Sequence, residues 1–515
     1  MYLTQSLHRA VQQRPGSIAT IFNDRVRTVA ESADRIARFA GALRGLGVEE
    51  GHRVGILSLN SDRYHEYLYA VPWLGAVLNP VNIRWSPAEI VYSLAESRTK
   101  ILLVDDAFAP MIEPIRTAFP GLETVIFIGD GAQPAGTVSY ETLVAQSDPV
   151  DDSYAGSDDL LGVFYTGGTT GHPKGVMLSH NNIVTAALGP QATTRVVTPG
   201  GRLLHAAPMF HLADFAAWTI GNLVGVTHVI VPMFTSAGVL KAIAEHRIDS
   251  ALLVPTMIQM LVDDPALTDH DLSSVQSVIY GASPIADAVL DRAQAALPAA
   301  RFTQAYGMTE LSAVATVLTP EDHDVPELRR SAGRACVHVQ VRIVDQNGNE
   351  VPRGEVGEVV VKGDNIMLGY WDRPEDTEAA IVDGWMHTGD GGRMDENGYV
   401  FIVDRIKDMI ITGGENVYSA EVENALAKHP AVASCAVIGV PDPQWGERVH
   451  AVVVLLPGRT TTEDELREHC KALIANYKIP RSAEFVDALP LSGAGKILKR
   501  ELRKKFWEDT ATQVS

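Results

Sequence analysis

The sequence predicts an α/β protein in two parts. A large N-terminal domain, 1–403, is expected to combine mixed and parallel sheets with helices and a β-rich subdomain. A small, mobile α+β domain, 404–515, is expected to follow. Short apolar runs alternate with helix-like stretches until about residue 330, as in parallel sheet covered by helices. Beyond that point the texture becomes alternating, Gly-rich and turn-rich. A charged stretch at Asp404, Arg405 and Lys407 then opens a last segment of strand, helix and strand. A chain of 515 residues is too long for one ordinary core, so two or more domains are expected.

The elements follow in order. TVAESADRIARFAGALRGLGV (28–48) places Ile36, Phe39, Ala40 and Leu43 on one helical face and stops at Gly45 and Gly47. RVGILSL (53–59), ILLVDD (101–106) and TVIFIGD (124–130) are apolar runs fit for buried strands. HEYLYAVPWLGAVL (65–78) reads as a helix, with Pro72 kinking or ending part of it. SALLVPT (250–256) and SVIYGASP (277–284) read as strands running into loops. VQVRIVDQNGNEVPRGEVGEVVVKG (339–363) reads as antiparallel strands with a turn at Asn347-Gly348. GYVFIVDRIKDMIITGGENVYSAEVENALAKHP (398–430) gives strand, charged turn, glycine pair and helix in quick order. AVASCAVIGV and HAVVVLLP then read as strands, and TEDELREHCKALIAN as a helix.

Composition narrows the function classes. The chain is 46% apolar and 21% charged, ordinary for a globular protein. Its 43 Lys and Arg against 63 Asp and Glu give a net charge of −20. That argues against a broad nucleic-acid surface and against attraction to anionic lipid, while leaving room for a small basic pocket. Cys336, Cys435 and Cys470 lie far apart with no ligand spacing, so neither zinc nor a disulfide framework is expected. The start, MYLTQSLHRAVQQRPG, lacks a charged region followed by an apolar one. TIGNLVGVTHVIVPMF (219–234) is too short and too interrupted to span a membrane. The end, TATQVS, matches no retention or peroxisomal signal. A cytoplasmic protein without an integral membrane segment is the expectation.

Residues 165–175 read YTGGTTGHPKG, with four glycines, three threonines, one proline and one lysine. Such a stretch cannot pack a core. It can curl tightly and aim backbone N–H groups, Thr hydroxyls and an ammonium at one point, which is what a phosphate cradle does. It follows LLGVFYT and precedes VMLSH, so it is expected to join two strands. A Walker loop needs GxxxxGK[ST] followed by a helix, and here Lys174 follows Pro173, so the cradle is of another kind.

The run YTGGTTGHPKG resembles the phosphate loop of the adenylate-forming superfamily, which includes acyl-CoA synthetases, coumarate-CoA ligases, firefly luciferase and the adenylation domains of peptide synthetases. QAYGMTE (304–310), HTGD (387–390), DRIKDMIITGGENVYSAEVE (404–423), YKIPR (477–481) and PLSGAGKILKREL (490–502) match in family order, and the resemblance covers essentially the whole chain. It implies activation of a carboxylate. Oxide is a poor leaving group, so the acid attacks the α-phosphate of ATP, and CoA thiolate then displaces AMP. The first step joins two anions and needs cations and donors at the α-phosphate.

The resemblance implies a role for each matching residue. Thr166, Gly167, Gly168, Thr169, Thr170 and Gly171 would cradle pyrophosphate, with Lys174 as charge partner. Glu310 would hold Mg²⁺ and Thr309 would donate to the α-phosphate. Tyr306 would stack on adenine opposite Gly281, Ala282 and Ser283, with Gly307 and Met308 beside it. Asp390 would accept both ribose hydroxyls, and Arg405 would make a second ribose and phosphate contact. Lys496 would bridge the substrate carboxylate and the α-phosphate as a point charge. Lys407 would be the hinge, and Gly413, Gly414 and Glu415 would face the CoA arm. Phe210, His211 and Ala305 would line the acyl pocket, although a lone histidine there reads equally well as a satisfied core residue. The sequence departs from the family pattern at four positions. Ser492 and Ala494 replace a Thr and a Ser, Ala305 a glycine, and Gly167 a Ser.

The leading expectation is an AMP-forming ligase joining a medium- or long-chain fatty acid to CoA. Aryl acids, such as benzoates, cinnamates or arylpropionates, are the runner-up. An acyl-AMP ligase loading a carrier protein ranks lower because no carrier domain follows. A luciferase-like oxygenase ranks lower still. A nucleotide-binding scaffold without activity would have lost Lys496, Glu310 or the cradle, and all three are present. The expected partners are therefore a small carboxylic acid, ATP and CoA, with Mg²⁺ and no nucleic acid. Such enzymes are often homodimers.

Overall fold

A computed structural model describes residues 1–166, 173–405, 408–412, 415–471, 473–491 and 497–507. The chain divides into two compact units. One is Met1–Val341 with Val361–Met386, and the other is Arg342–Val360 with His387–Ser515.

The first unit carries two sheets. Nine strands run in the order Arg334–Ala335, Thr316–Leu318, Arg301–Tyr306, Ser277–Gly281, Ser250–Leu252, Arg202–His205, Thr227–Ile230, Ile18–Phe22 and Arg25–Thr28. The strands from Arg301–Tyr306 to Ile18–Phe22 pair in parallel, so their carboxyl ends share one edge. Antiparallel strands close both sides. The second sheet has eight strands, in the order Gly369–Tyr370, Lys174–Ser179, Leu160–Thr166, Val77–Pro80, Arg53–Leu57, Ile101–Val104, Thr124–Phe127 and Val138–Ser139. It is parallel except at the first two junctions. Ile101–Val104 is buried at every position, as expected of a parallel strand covered on both faces. One apolar core draws on both sheets.

Helix Val29–Gly45 is started by a capping box between Thr28 and Glu31. Ile36, Phe39, Ala40 and Leu43 form its fully buried face, as the periodicity predicts. Each of the large ones contributes roughly 1.5–3 kcal/mol. The chain turns away at Gly47, where φ is 83°.

The stretch expected as one helix over 65–78 is two elements. A helix spans Asp62–Trp73, with Pro72 in its last turn, and Val77–Pro80 is a buried strand. The helix is buried on all sides despite its polar residues because each charge is met from within. Asp62 pairs with Arg25 at 2.9 Å, Arg63 with Glu141 at 2.8 Å, and Glu66 with Arg35 at 2.7 Å. Trp218 Nε1 donates to His65 Nδ1 at 2.9 Å. The apolar run 219–234 divides at Gly225 (φ 79°) into helix Leu212–Val224 and strand Thr227–Ile230. Among the described residues no helix is long and apolar enough to cross a membrane.

A five-stranded sheet has the order Val339–Val344, Val356–Gly363, Trp385–Met394 and Ile381–Val382, with Val400–Arg405 antiparallel on Trp385–Met394. The turn after its first strand differs from the expected Asn-Gly pair. Gly348 N–H donates to Asp345 O at 3.0 Å, so Gln346 and Asn347 are the central residues. Gly348 follows them at φ 78°.

In the second unit, strand Gly446–Leu455 is the centre of a sheet, pairing with its hairpin partner Val432–Asp442 at one edge and with Ile410–Thr412 and Ser482–Phe485, while Glu415–Val417 pairs with Ile410–Thr412. The side chains of Val432–Asp442 alternate. Cys435 and Val437 pack with Val422, Leu426, Leu466 and Cys470 on one side. Ala436, Ile438 and Val440 pack with Leu502, on helix Lys499–Trp507, on the other.

Candidate active site

In the first unit the residues of the motifs at 281–283 and 304–310 gather at the carboxyl edge of the nine-stranded sheet. Gly281 ends one strand and Tyr306 ends its parallel neighbour, with Gly281 opposite Ala305 in register. Such edges are where open parallel sheets bind ligands. The backbone here is tight. A Cβ on Gly281 would lie 2.2 Å from Ala305 O, and one on Gly307 2.2 Å from Ala313 O. Ala282, Ser312 and Ala313 hold positive φ of 66°, 53° and 87°. Strain of this kind persists only where the surroundings fix it. Asn365 is one such fixture. Its Nδ2 donates to Leu311 O and Val314 O at 2.9 and 3.2 Å, and its backbone oxygen accepts from Ser312 Oγ at 2.8 Å. Gln304 to Thr309, including Met308, are half-buried along this edge, Ala282 is exposed, and Ser283 is half-buried.

Glu310 sits in the short 3-10 turn Thr309–Leu311 that follows. Its side chain is 93% shielded (7% exposed), and its Oε1 accepts from the Tyr370 hydroxyl at 2.9 Å. Among the described residues its other oxygen accepts no hydrogen bond. Tyr370 lies opposite Val176 on the strand that begins with Lys174. Lys174 Nζ lies 5.0 Å from the centre of the Tyr370 ring and 2.9 Å from Asp376 Oδ1. A buried acceptor and a half-exposed cation thus share one tyrosine.

Thr166 and Lys174 face each other across an antiparallel hairpin, so the Gly/Thr stretch joins two strands as expected. Thr166 Oγ1 donates to Lys174 O at 3.5 Å. Gly167, Gly168, Thr169, Thr170 and Gly171 lie outside the described residues. Phe210 belongs to the main core. His211 caps helix Leu212–Val224, its ring nitrogen accepting from Ala213 N–H at 3.4 Å. Ala305 packs against the apolar cluster of Ala187, Ala217, Ile220 and Ile279.

In the second unit Asp390 is buried in strand Trp385–Met394 opposite Arg405. The corner before it is held by Glu358, whose carboxylate accepts from Gly389 N–H at 2.9 Å and contacts His387 Nδ1 at 2.8 Å. Thr388 Oγ1 donates to Val359 O at 2.7 Å. Asp404 accepts from Ser419 at the start of helix Ser419–Leu426. Asp408 pairs with Arg503 at 2.7 Å. Burial raises the carboxyl of Glu423, and Lys499, 2.8 Å away, opposes that shift. Glu415 begins strand Glu415–Val417. Lys407, Gly413, Gly414 and Lys496 lie outside the described residues, as do Ser492 and Ala494. Leu491 and Ile497, which flank Lys496 in sequence, form an antiparallel bridge.

Four residues of these constellations escaped sequence reasoning: Tyr370, Asp376, Asn365 and Glu358. The glycine-tyrosine pair and the charged PEDT run at 374–377 were the available signals for the first two.

The family described as AMP-binding enzyme matches residues 7–371, and that described as AMP-binding enzyme C-terminal domain matches residues 421–496. The chain belongs to the AMP-binding enzyme family, whose members form acyl adenylates. It is 40% identical over 506 residues to a feruloyl-CoA synthase from an Amycolatopsis species, covering 97% of this chain and 98% of the relative. It is 36% identical over 518 residues to the fatty acid–[acyl-carrier-protein] ligase ScoC of Streptomyces coeruleorubidus, covering 99% and 97%. The solved anthranilate CoA ligase AuaEII, in complex with anthranoyl-AMP, superposes with a TM-score of 0.91 at 28% identity, covering 98% of this chain and 97% of that one.

Proposed function

We propose that the chain is an AMP-forming carboxylic acid:CoA ligase for apolar acids, medium- or long-chain fatty acids foremost. The observation that carries this reading is the meeting of Glu310 and Lys174 at Tyr370, beside the strand ends that carry Gly281 and Tyr306. A triphosphate needs a cation, a metal-binding carboxylate and a flat surface for its base, and Lys174, Glu310 and Tyr306 are chemically suited to those three tasks.

Each residue then has work suited to its chemistry. Lys174 and the threonines of the hairpin loop bind the β- and γ-phosphates. Tyr306 stacks on adenine against Gly281, Ala282 and Ser283, where a side chain on Gly281 would obstruct the strand. Thr309 donates to the α-phosphate. Asp390 accepts from the ribose hydroxyls, and Arg405 adds a second contact. Mg²⁺ fits Glu310, whose buried carboxylate keeps one oxygen open among the described residues; when bound it supplies positive charge to the phosphates. Lys496 neutralises the substrate carboxylate against the α-phosphate while their oxygen–phosphorus bond forms and the bond from that phosphorus to the bridging oxygen breaks, releasing pyrophosphate. The domain from Asp404 onward then rotates about Lys407 and brings Gly413, Gly414 and Glu415 to CoA. Its thiolate attacks the acyl carbon and AMP leaves. Phe210, His211 and Ala305 border the acyl group.

An aryl acid is the second reading, favoured by the 40% identity to a feruloyl-CoA synthase. One assay separates the readings: enzyme, ATP, Mg²⁺ and CoA with acids from acetate to C18, benzoate, cinnamates and arylpropionates, with AMP and acyl-CoA detected by mass. Fatty acyl-CoA supports the first reading and aryl-CoA the second. Acyl adenylate without a CoA ester moves the acceptor to a carrier protein. No product from any acid contradicts all three.

A further inference from the structure

Lys174 and Glu310 carry opposite charge and touch the same side chain, yet they do not pair. Tyr370 stands between them. Its hydroxyl donates to Glu310 Oε1 at 2.9 Å, and its ring takes Lys174 Nζ at 5.0 Å from the centre. The tyrosine is 91% shielded (9% exposed) and packs in the main core, so it cannot swing aside. Its backbone N–H donates to Thr377 Oγ1 at 2.9 Å, and Thr377 Oγ1 donates to Arg373 O at 2.8 Å. That ties the strand to helix Pro374–Ala380, which carries Asp376.

The counter-ion of Lys174 is therefore Asp376, at 2.9 Å. The lysine side chain is 22% exposed and the aspartate 38%. A pair so open to water is weak and easily exchanged. Asp376 Oδ2 also lies 3.6 Å from Arg373, so it keeps a partner if Lys174 leaves.

We propose that Tyr370 is a positioning residue that keeps Lys174 and Glu310 from neutralising each other, and that Asp376 holds Lys174 as a stand-in anion until a triphosphate replaces it. This rests on the reading that the hairpin receives the phosphates of ATP and Glu310 the divalent cation. An ion pair between Lys174 and Glu310 would remove both the phosphate partner and the metal ligand in one contact. Parking the lysine on a half-exposed aspartate leaves both available.

The test is calorimetric titration of the full-length enzyme with ATP, with and without Mg²⁺ and without acid, so that no turnover occurs. Tyr370→Phe removes one hydroxyl and keeps the ring. It should weaken binding of the Mg²⁺ complex about 10-fold, the scale of one hydrogen bond to a charged group, and leave metal-free ATP within about 2-fold. Tyr370→Leu should weaken both forms. Asp376→Asn should tighten metal-free ATP by roughly 2- to 5-fold, the scale of one exposed ion pair removed as competitor, and flatten its salt dependence. Equal loss of both forms in Tyr370→Phe would reduce the tyrosine to packing and overturn the first half. Unchanged or weaker ATP binding in Asp376→Asn would overturn the second. If the wild-type enzyme bound no ATP at all, the functional reading itself would fall, which is distinguishable from either result.

Discussion

Losing one preorganised charge donor at a developing transition state slows a step by about 10²–10³. Lys496→Ala should therefore cut acyl-adenylate formation by at least that factor and largely spare thioester formation from supplied acyl adenylate. Assaying the two half-reactions separately decides it, and equal loss in both would remove the assigned role. Gly307 makes a different demand. A Cβ there would lie 2.2 Å from the backbone oxygen of Ala313, whereas one on Gly45 would meet nothing within 4 Å. Gly307→Ala should cost roughly 1–3 kcal/mol, as overpacking does. Gly45→Ala, in the last turn of a helix, should be neutral or gain about 0.4–1 kcal/mol. Urea midpoints for the two variants should move apart, and equal shifts would contradict the contact. Residues inside one contiguous motif, such as Tyr306 to Glu310, were legible because neighbours in sequence identify them. Tyr370 was not, since its hydroxyl reaches Glu310 across 60 positions, and Glu358 meets Gly389 across 31. Contacts of that separation leave no local pattern.

At the scale of elements, the segment 404–408 is anchored on both sides of Lys407. Asp404 binds the start of helix Ser419–Leu426, and Asp408 binds Arg503 on helix Lys499–Trp507. Both anchors lie in the second unit, so rotation at Lys407 would require one of the two to release. Proline fixes φ near −65°. Lys407→Pro should therefore leave adenylation near the wild-type rate and slow CoA ester formation, the reverse of Lys496→Ala. Full-rate ester synthesis by that variant, followed by rapid quench, would reject the hinge. Helix Val29–Gly45 was legible because its buried face is apolar and its cap is local. Helix Asp62–Trp73 was not. Its burial depends on Arg25, Arg35 and Glu141, so periodicity placed its start three residues late and carried it through Leu74 into the next strand. The turn at Asp345–Gly348 was legible in place but not in type, since the closing bond comes from Gly348 rather than from the residue after it.

For the whole molecule, strand alternation and texture gave away an α/β body with a smaller following module, while the division of sheets could not be read because strand order depends on crossovers rather than on sequence distance. The two units also differ in a way that pH should expose. Burial holds His65 down to about 3 and His180 to about 4, and pushes His228 well below its ordinary value; all three are in the first unit. In the second unit burial lowers His450 to about 4. An unfolded histidine titrates near ~6.5. Above that pH both states are neutral at these sites and nothing is gained or lost. Below it the unfolded chain takes up protons that the folded chain refuses, so stability falls as pH drops from ~6.5 toward the folded values, by up to ~1.4 kcal/mol per pH unit for each such group. Buried carboxyls raised by desolvation, Glu66 and Asp105 in the first unit and Glu423 in the second, work in the opposite sense. The first unit carries more of the strongly lowered histidines. Hydrogen exchange at pH 7 and 5, corrected for intrinsic rates, should show protection of Arg53–Leu57 falling more than that of Gly446–Leu455. Equal falls, or a larger one in the second unit, would mean that the buried histidines do not set the acid limit of the fold.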